Sequence, residues 1–146
     1  MDWIACRKNK NLVKEVSLDR NLINSLLKSS SNKEYSQRML IMDSNTASSK
    51  VSLAYDALRE LLEATALIKG YKIYNHECYT CFLKEELGQS SLGDELDKFR
   101  RIRNSINYYG KDISPEEAQP ILDRMKIFMI EIKKLSSLKQ YSTDFT

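Results

Sequence analysis

Only four glycines and two prolines punctuate this chain of 146 residues. A many-stranded β-sandwich or barrel needs a turn signal about every 8–12 residues, and these breakers are too few to supply it. Long helices are the alternative. Gly70, Gly88 and Gly110 each follow a periodic apolar run, where a helix would stop.

The clearest run is the last. Ser114 stands at an N-cap position, Pro115 at N1 and Glu117 at N3, a capping box with the preferred proline. Ala118, Ile121, Leu122, Met125, Phe128, Met129, Ile132 and Leu135 then recur on one helical face. Pro120 removes one N–H and predicts a local kink. The segment from Ser48 to Lys69 is apolar over a wide arc and reads as the central helix of a bundle. A third helix runs from Ser91 to Tyr109, and a shorter one from the cap Asn75 to Leu87. Asp19 caps a run through Leu22, Ile23, Leu26 and Leu27. Past Ser29–Asn32 it resumes at Tyr35, Met39 and Met42, as one bent helix or two. The expected fold is all-α, an antiparallel bundle of about five helices without a strand.

At this length the chain predicts one domain over residues 1–146, with a core from about 17 to 135 and peripheral segments 1–16 and 136–146. Hydrophobic residues make up 42% and charged residues 29%, which excludes a disordered chain. No apolar run approaches the ~18 residues of a membrane span, and Met1–Arg7 lacks the apolar stretch of a signal peptide. A cytoplasmic protein with no membrane contact is therefore expected. Its three cysteines are expected reduced, because an odd number does not indicate a disulfide framework. The net charge of +3 is too small to argue for nucleic acid by itself.

Two charges sit where apolar residues are due. Leu92, Leu96, Phe99 and Ile106 form a stripe whose missing slot is Arg103. Leu53, Ala57, Ala64 and Leu67 form another, whose missing slot is Glu60, flanked by Asp56 and Glu63 at helical spacing. A guanidinium on the core side is costly unless paired, so Arg103 is expected to pair with Glu60 or Asp56. The pair either locks helix register or holds an arginine to meet a phosphate. From Lys98 to Lys111 there are five basic residues and no acid. Arg100, Arg101, Asn107, Tyr109 and Lys111 join Arg103 there as candidate contacts to RNA phosphates and unstacked bases. A solvated basic face at a helix end is the plainer alternative.

The string from Phe99 to Gly110 resembles the HEPN family of prokaryotic toxin–antitoxin and RNA-processing proteins. The resemblance extends to Ala54–Ala64, to Lys69-Gly70-Tyr71 with Asn75-His76-Glu77, and to Ser114–Ala118, in order over roughly residues 17 to 135. It implies a helical homodimer, with a nucleotidyltransferase antitoxin as a further partner. It also implies a cleft at the dimer interface where an arginine, a polar neighbour and a histidine cleave RNA without a metal or other cofactor. By position Arg103 matches the arginine and Asn104 its neighbour, with Glu60 or Asp56 as the orienting acid. The slot five residues after Arg103 holds Tyr108 instead of histidine. A phenol with pKa near ~10 is a poor base at neutral pH. The reading is thus an RNA- or nucleotide-associated module with weak or no catalysis. The alternatives are a metal-independent ribonuclease using Arg103 with Tyr108 or His76, and a helical interaction protein without nucleic acid.

His76, Cys78 and Cys81 form a His-x-Cys-x-x-Cys cluster, but offer three ligands on one helix where structural zinc takes four, with only the distant Cys6 to complete them. No metal is expected there. Gly-rich phosphate loops, His-Glu-x-x-His and Gly-x-Ser-x-Gly are all absent from the sequence.

Overall fold

The computed structural model describes residues 1–136, Leu138 and Tyr141. The chain runs through α1 (Trp3–Lys8), β1 (Val13–Glu15), α2 (Arg20–Met39), α3 (Ala47–Ile68), β2 (Tyr71–Ile73) and α4 (His76–Cys81). A π-helical segment (Phe82–Glu86) continues α4, and α5 (Ser90–Tyr109) and α6 (Pro115–Leu135) follow. The fold is predominantly helical, an all-α bundle carrying one small two-stranded ribbon.

Helix α3 is the axis. Residues around most of its circumference are buried, among them Val51, Ala54, Tyr55, Leu58, Leu61, Leu62 and Ala66. Helix α2 packs along one side of it and is a single helix. The serine cluster does not break α2, because Ser30 is buried and its hydroxyl donates to the Ala57 carbonyl at 2.6 Å. Lys50 closes the other end of this pair. It is only 6% exposed, and its ammonium donates to the carbonyls of Gln37 and Leu40 near the end of α2. Helix α6 covers another side of α3 through Leu122, Met125, Phe128 and Ile132, and its capping box forms as the sequence predicts. Helix α6 runs unbroken through Pro120, near its exposed N-terminal end. Ser48 anchors the loop before α6, donating to Asp112 at 3.1 Å and accepting from the Ile113 N–H at 2.9 Å.

Three expectations need correction. Residues 1–16 are not peripheral: Trp3, Cys6 and Val13 are buried, and Trp3 meets the rings of Tyr71 and Phe82 edge-on at 5.2 and 5.4 Å. Leu138 and Tyr141 are buried too, whereas the rest of 137–146 lies outside the described residues. Strands are present, with β1 antiparallel to β2 in the register Val13↔Ile73, Lys14↔Lys72 and Glu15↔Tyr71. Three residues per strand are too few to show a period of two in sequence. The cysteines are not all free: Cys6 and Cys78 form a disulfide with Cα atoms 5.8 Å apart, joining α1 to α4. The odd count leaves Cys81 as a buried thiol. A further difference is the helix expected from Asn75 to Leu87, which changes to π geometry at Phe82, where the Leu87 N–H reaches the Phe82 carbonyl at 3.0 Å. Gly93 allows α5 to pass close to this segment, since a Cβ there would lie 2.6 Å from Lys84 Cγ.

Two stability predictions follow from these contacts. The disulfide closes a separation of 72 residues, so Cys6→Ser should lower unfolding free energy by ~4 kcal/mol on the chain-entropy account. Denaturant titration with and without a dithiol should show this loss in the wild type and none in the variant. Lys50→Met would strip two buried carbonyls of their donor and should cost about 1–3 kcal/mol, read from the shift of the urea midpoint.

Candidate functional site

Burial thins along α5. Leu92, Leu96 and Phe99 are buried, whereas Arg103 and Ile106 are half-buried. Arg103 therefore reaches the rim of the core while keeping access to water. Its Nη2 lies 3.4 Å from Asp56 Oδ1, and its guanidinium carbon stands 5.6 Å from the Tyr55 ring centroid. The sequence left Asp56 and Glu60 open as partners, and Asp56 takes the contact. Glu60 is turned away to α2 and pairs with Lys33. Lys33 lies on α2, so Glu60 faces that helix. The Leu53–Leu67 stripe containing Glu60 is the face that meets α2. Glu60 therefore orients no arginine of α5.

The Arg103–Asp56 contact leaves donors unfilled. The Nε atoms of Arg103 and Arg100 are both buried without a hydrogen-bond acceptor among the described residues. Neither Arg59 nor Arg100 makes an ion pair among those residues. Of these three guanidiniums on α3 and α5, only that of Arg103 has an ion pair among the described residues, with Asp56.

Helix α4 adds an imidazole. Asn75 caps it, accepting from the Cys78 N–H at 3.2 Å, and His76 is its first residue. Thr80 ties α4 to α5 by donating to Asp97 Oδ1 at 2.9 Å. Partial desolvation and, after it, the charges of Arg100, Arg59 and Arg103 push the His76 pKa below its ordinary 6.5. His76 is consequently a neutral imidazole at pH 7. Tyr55 moves the other way, because burial outweighs the three arginines and keeps its phenol protonated. Tyr79 is raised by burial, with Glu63 adding to the effect. Both tyrosines remain hydrogen-bond donors and poor bases.

The remaining candidates disperse. Asn104 is half-buried beside Arg103, whereas Arg101, Asn107 and Lys111 are exposed. Tyr108 and Tyr109 are 72% and 84% exposed at the end of α5. Tyr108 is turned about 140° around the helix from Arg103, so the two do not share a face. Cys78 is consumed by the disulfide, and burial with Glu85 raises the Cys81 thiol. Among the described residues no group of His, Cys, Asp and Glu is placed to hold a metal ion. No helix among them is long and apolar enough to cross a membrane.

Arg59 is the residue that sequence reasoning passed over. Its signal was present: it is the lone cation between Lys50 and Lys69, one turn from Asp56. No family model matches this chain, and no curated protein matches it either.

Chemically, the cluster combines guanidinium donors without acceptors and a neutral imidazole. Guanidiniums of this kind suit a phosphate, which they can hold by two parallel N–H···O bonds. The electrostatics can be checked by NMR titration of His76. Arg100→Gln should raise its pKa toward 6.5. Because the folded pKa is depressed, the unfolded chain takes the proton first as pH falls. The stability contribution of His76 is therefore complete above pH 6.5 and lost as pH drops below it.

Proposed function

We propose that this protein is an RNA-associated module whose α3–α4–α5 face binds a phosphodiester. The observation that carries the reading is a group of three arginines, Arg59, Arg100 and Arg103, in which only Arg103 has an ion pair among the described residues and all three charges act on His76. Phosphate supplies several acceptor oxygens and two or more charges along a strand, which is what this cluster lacks. RNA is preferred over an isolated phosphate because the half-buried Asn104 adjoins Arg103 on α5, an amide able to meet a base edge.

A second reading has one observation in its favour. A neutral His76 next to Arg103 supplies the base that the Tyr108 position lacks. In that reading His76 takes the proton of a 2′-hydroxyl, and the 2′ oxygen bonds to phosphorus. The P–O5′ bond breaks, and the arginines balance the charge on the phosphorane oxygens. The products are a 2′,3′-cyclic phosphate and a 5′-hydroxyl, which takes its proton from water. The HEPN-like pattern of α5 supports both readings, and from it we also propose a homodimer and a nucleotidyltransferase antitoxin as partner. An RNA ligand goes with a cytoplasmic location, which the Cys6–Cys78 disulfide does not favour.

The test is binding and cleavage of single-stranded RNA in excess chelator. Arg103→Ala and Arg100→Ala should each weaken binding by at least about tenfold and make the logarithmic salt dependence shallower by about one. His76→Ala should leave binding intact and remove any cleavage. Wild-type affinity in both arginine variants would sink the proposal.

A further inference from the structure

The outer face of the β1–β2 ribbon is built against its own stability. Lys14 and Lys72 are direct cross-strand partners, and alternation puts both on the face opposite the buried Val13 and Ile73. Like charges directly opposed on a ribbon repel. Neither lysine has a carboxylate within ion-pair distance among the described residues, and the same holds for Lys8 and Lys10. The adjacent Glu15 is taken by Arg7 at 3.1 Å. Lys14 instead lies over the Tyr74 ring at 5.7 Å from its centroid, and Tyr74 is 53% exposed. Lys8, Lys10 and Lys14 also line one open depression beside β1.

A short stretch of chain joins this face to His76. Tyr74 is two residues from His76, a chain distance of at most about 7 Å, and Lys72 is four residues away, at most about 14 Å. A strand whose phosphate lies against Arg100, Arg103 and His76 would pass over Tyr74 and between the paired lysines within a few nucleotides.

We infer that the outer face of the ribbon is a second contact for the same ligand, a track that holds single-stranded RNA as it leaves the α3–α4–α5 cluster. The inference rests on the phosphodiester reading of that cluster. Tyr74 supplies a ring on which a base can stack, Lys14 and Lys72 each meet a phosphate, and Lys8 and Lys10 extend the path. A nucleic acid is favoured over an anionic lipid surface because the lysines come with an exposed aromatic ring, Tyr74, that a base can stack on, two residues along the chain from His76.

The experiment uses fluorescence anisotropy with oligouridylates of about three and about sixteen nucleotides. It compares the wild type, Lys14→Glu, the pair Lys14→Glu/Lys72→Glu, and Arg100→Ala/Arg103→Ala. The ribbon variants should weaken the long oligomer by about tenfold or more and leave the short one unchanged. The double ribbon variant should make the logarithmic salt slope shallower by about two. Lys14→Glu should also raise the melting temperature, since it replaces a repulsive cross-strand pair with an attractive one. Weaker binding by a more stable protein cannot come from misfolding. Unchanged affinity for the long oligomer overturns the track, as does equal loss for both lengths. Binding of phosphatidylserine vesicles that depends on the two lysines, without a change in RNA affinity, overturns it in favour of a lipid surface. If the ribbon variants behave as expected but the arginine pair leaves both lengths bound as in the wild type, the phosphodiester reading of the cluster fails while the ribbon remains an RNA contact.

Discussion

The near-complete burial of α3 is the constraint on which the rest of the structure depends. A helix covered on most sides cannot carry charge without supplying partners, because an unpaired ion in the interior costs several kcal/mol or more. Each charged or polar residue on its buried arc therefore names a neighbour. Lys50 takes the carbonyls at the end of α2, Glu60 takes Lys33, and Thr65 bonds back to the Leu61 carbonyl at 2.9 Å. Asp56 takes Arg103. These contacts set the register of α2 and α5 along the central helix more sharply than apolar packing could, since apolar contacts tolerate sliding by partial steps.

The candidate site lies where this coverage gives out. Toward the C-terminal end of α5 the apolar stripe loses its buried surroundings, about two turns past the point where Thr80 ties α4 to Asp97. Arg59, Arg100 and Arg103 have one ion pair among the described residues, that of Arg103 with Asp56, and so leave an excess of positive charge. Burial, and after it that charge, holds His76 neutral, and the charge makes the surface receptive to an anion with several acceptor oxygens. The N-terminal segment supports the arrangement from behind. Trp3, the disulfide and the β1–β2 ribbon all grip the stretch from Tyr71 to Phe82, so the short α4 is positioned by contacts far away in sequence.

Much of the helical order was legible in the residues. The capping box at Ser114 and Glu117, the caps Asp19 and Asn75, and the stops at Gly70 and Gly110 are local signals made by groups within a few positions of each other. Both glycines adopt the left-handed conformation that ends a helix, with φ of 95° and 63°. Arg103 was legible as a charge at odds with its stripe, and Asp56 as one of its two possible partners. Glu60 was legible as a charge facing inward, but its partner was not, because Lys33 belongs to a helix whose phase the serine cluster obscures.

The sequence by itself determined the longer helices α3, α5 and α6, most of their ends and the identity of the misplaced charges, because each depends on spacing within one or two turns; α1 and the π-helical segment were not read from it. Only the tertiary structure decided which charges meet. Lys33 is 27 residues from Glu60, Asp56 is 47 from Arg103 and Cys6 is 72 from Cys78. The same holds for the convergence of Arg59, His76 and Arg100 from three helices. A pattern of spacing reports which face of a helix a residue occupies. It carries no term for the neighbour that face will meet, since that is set by how the helices pack around α3.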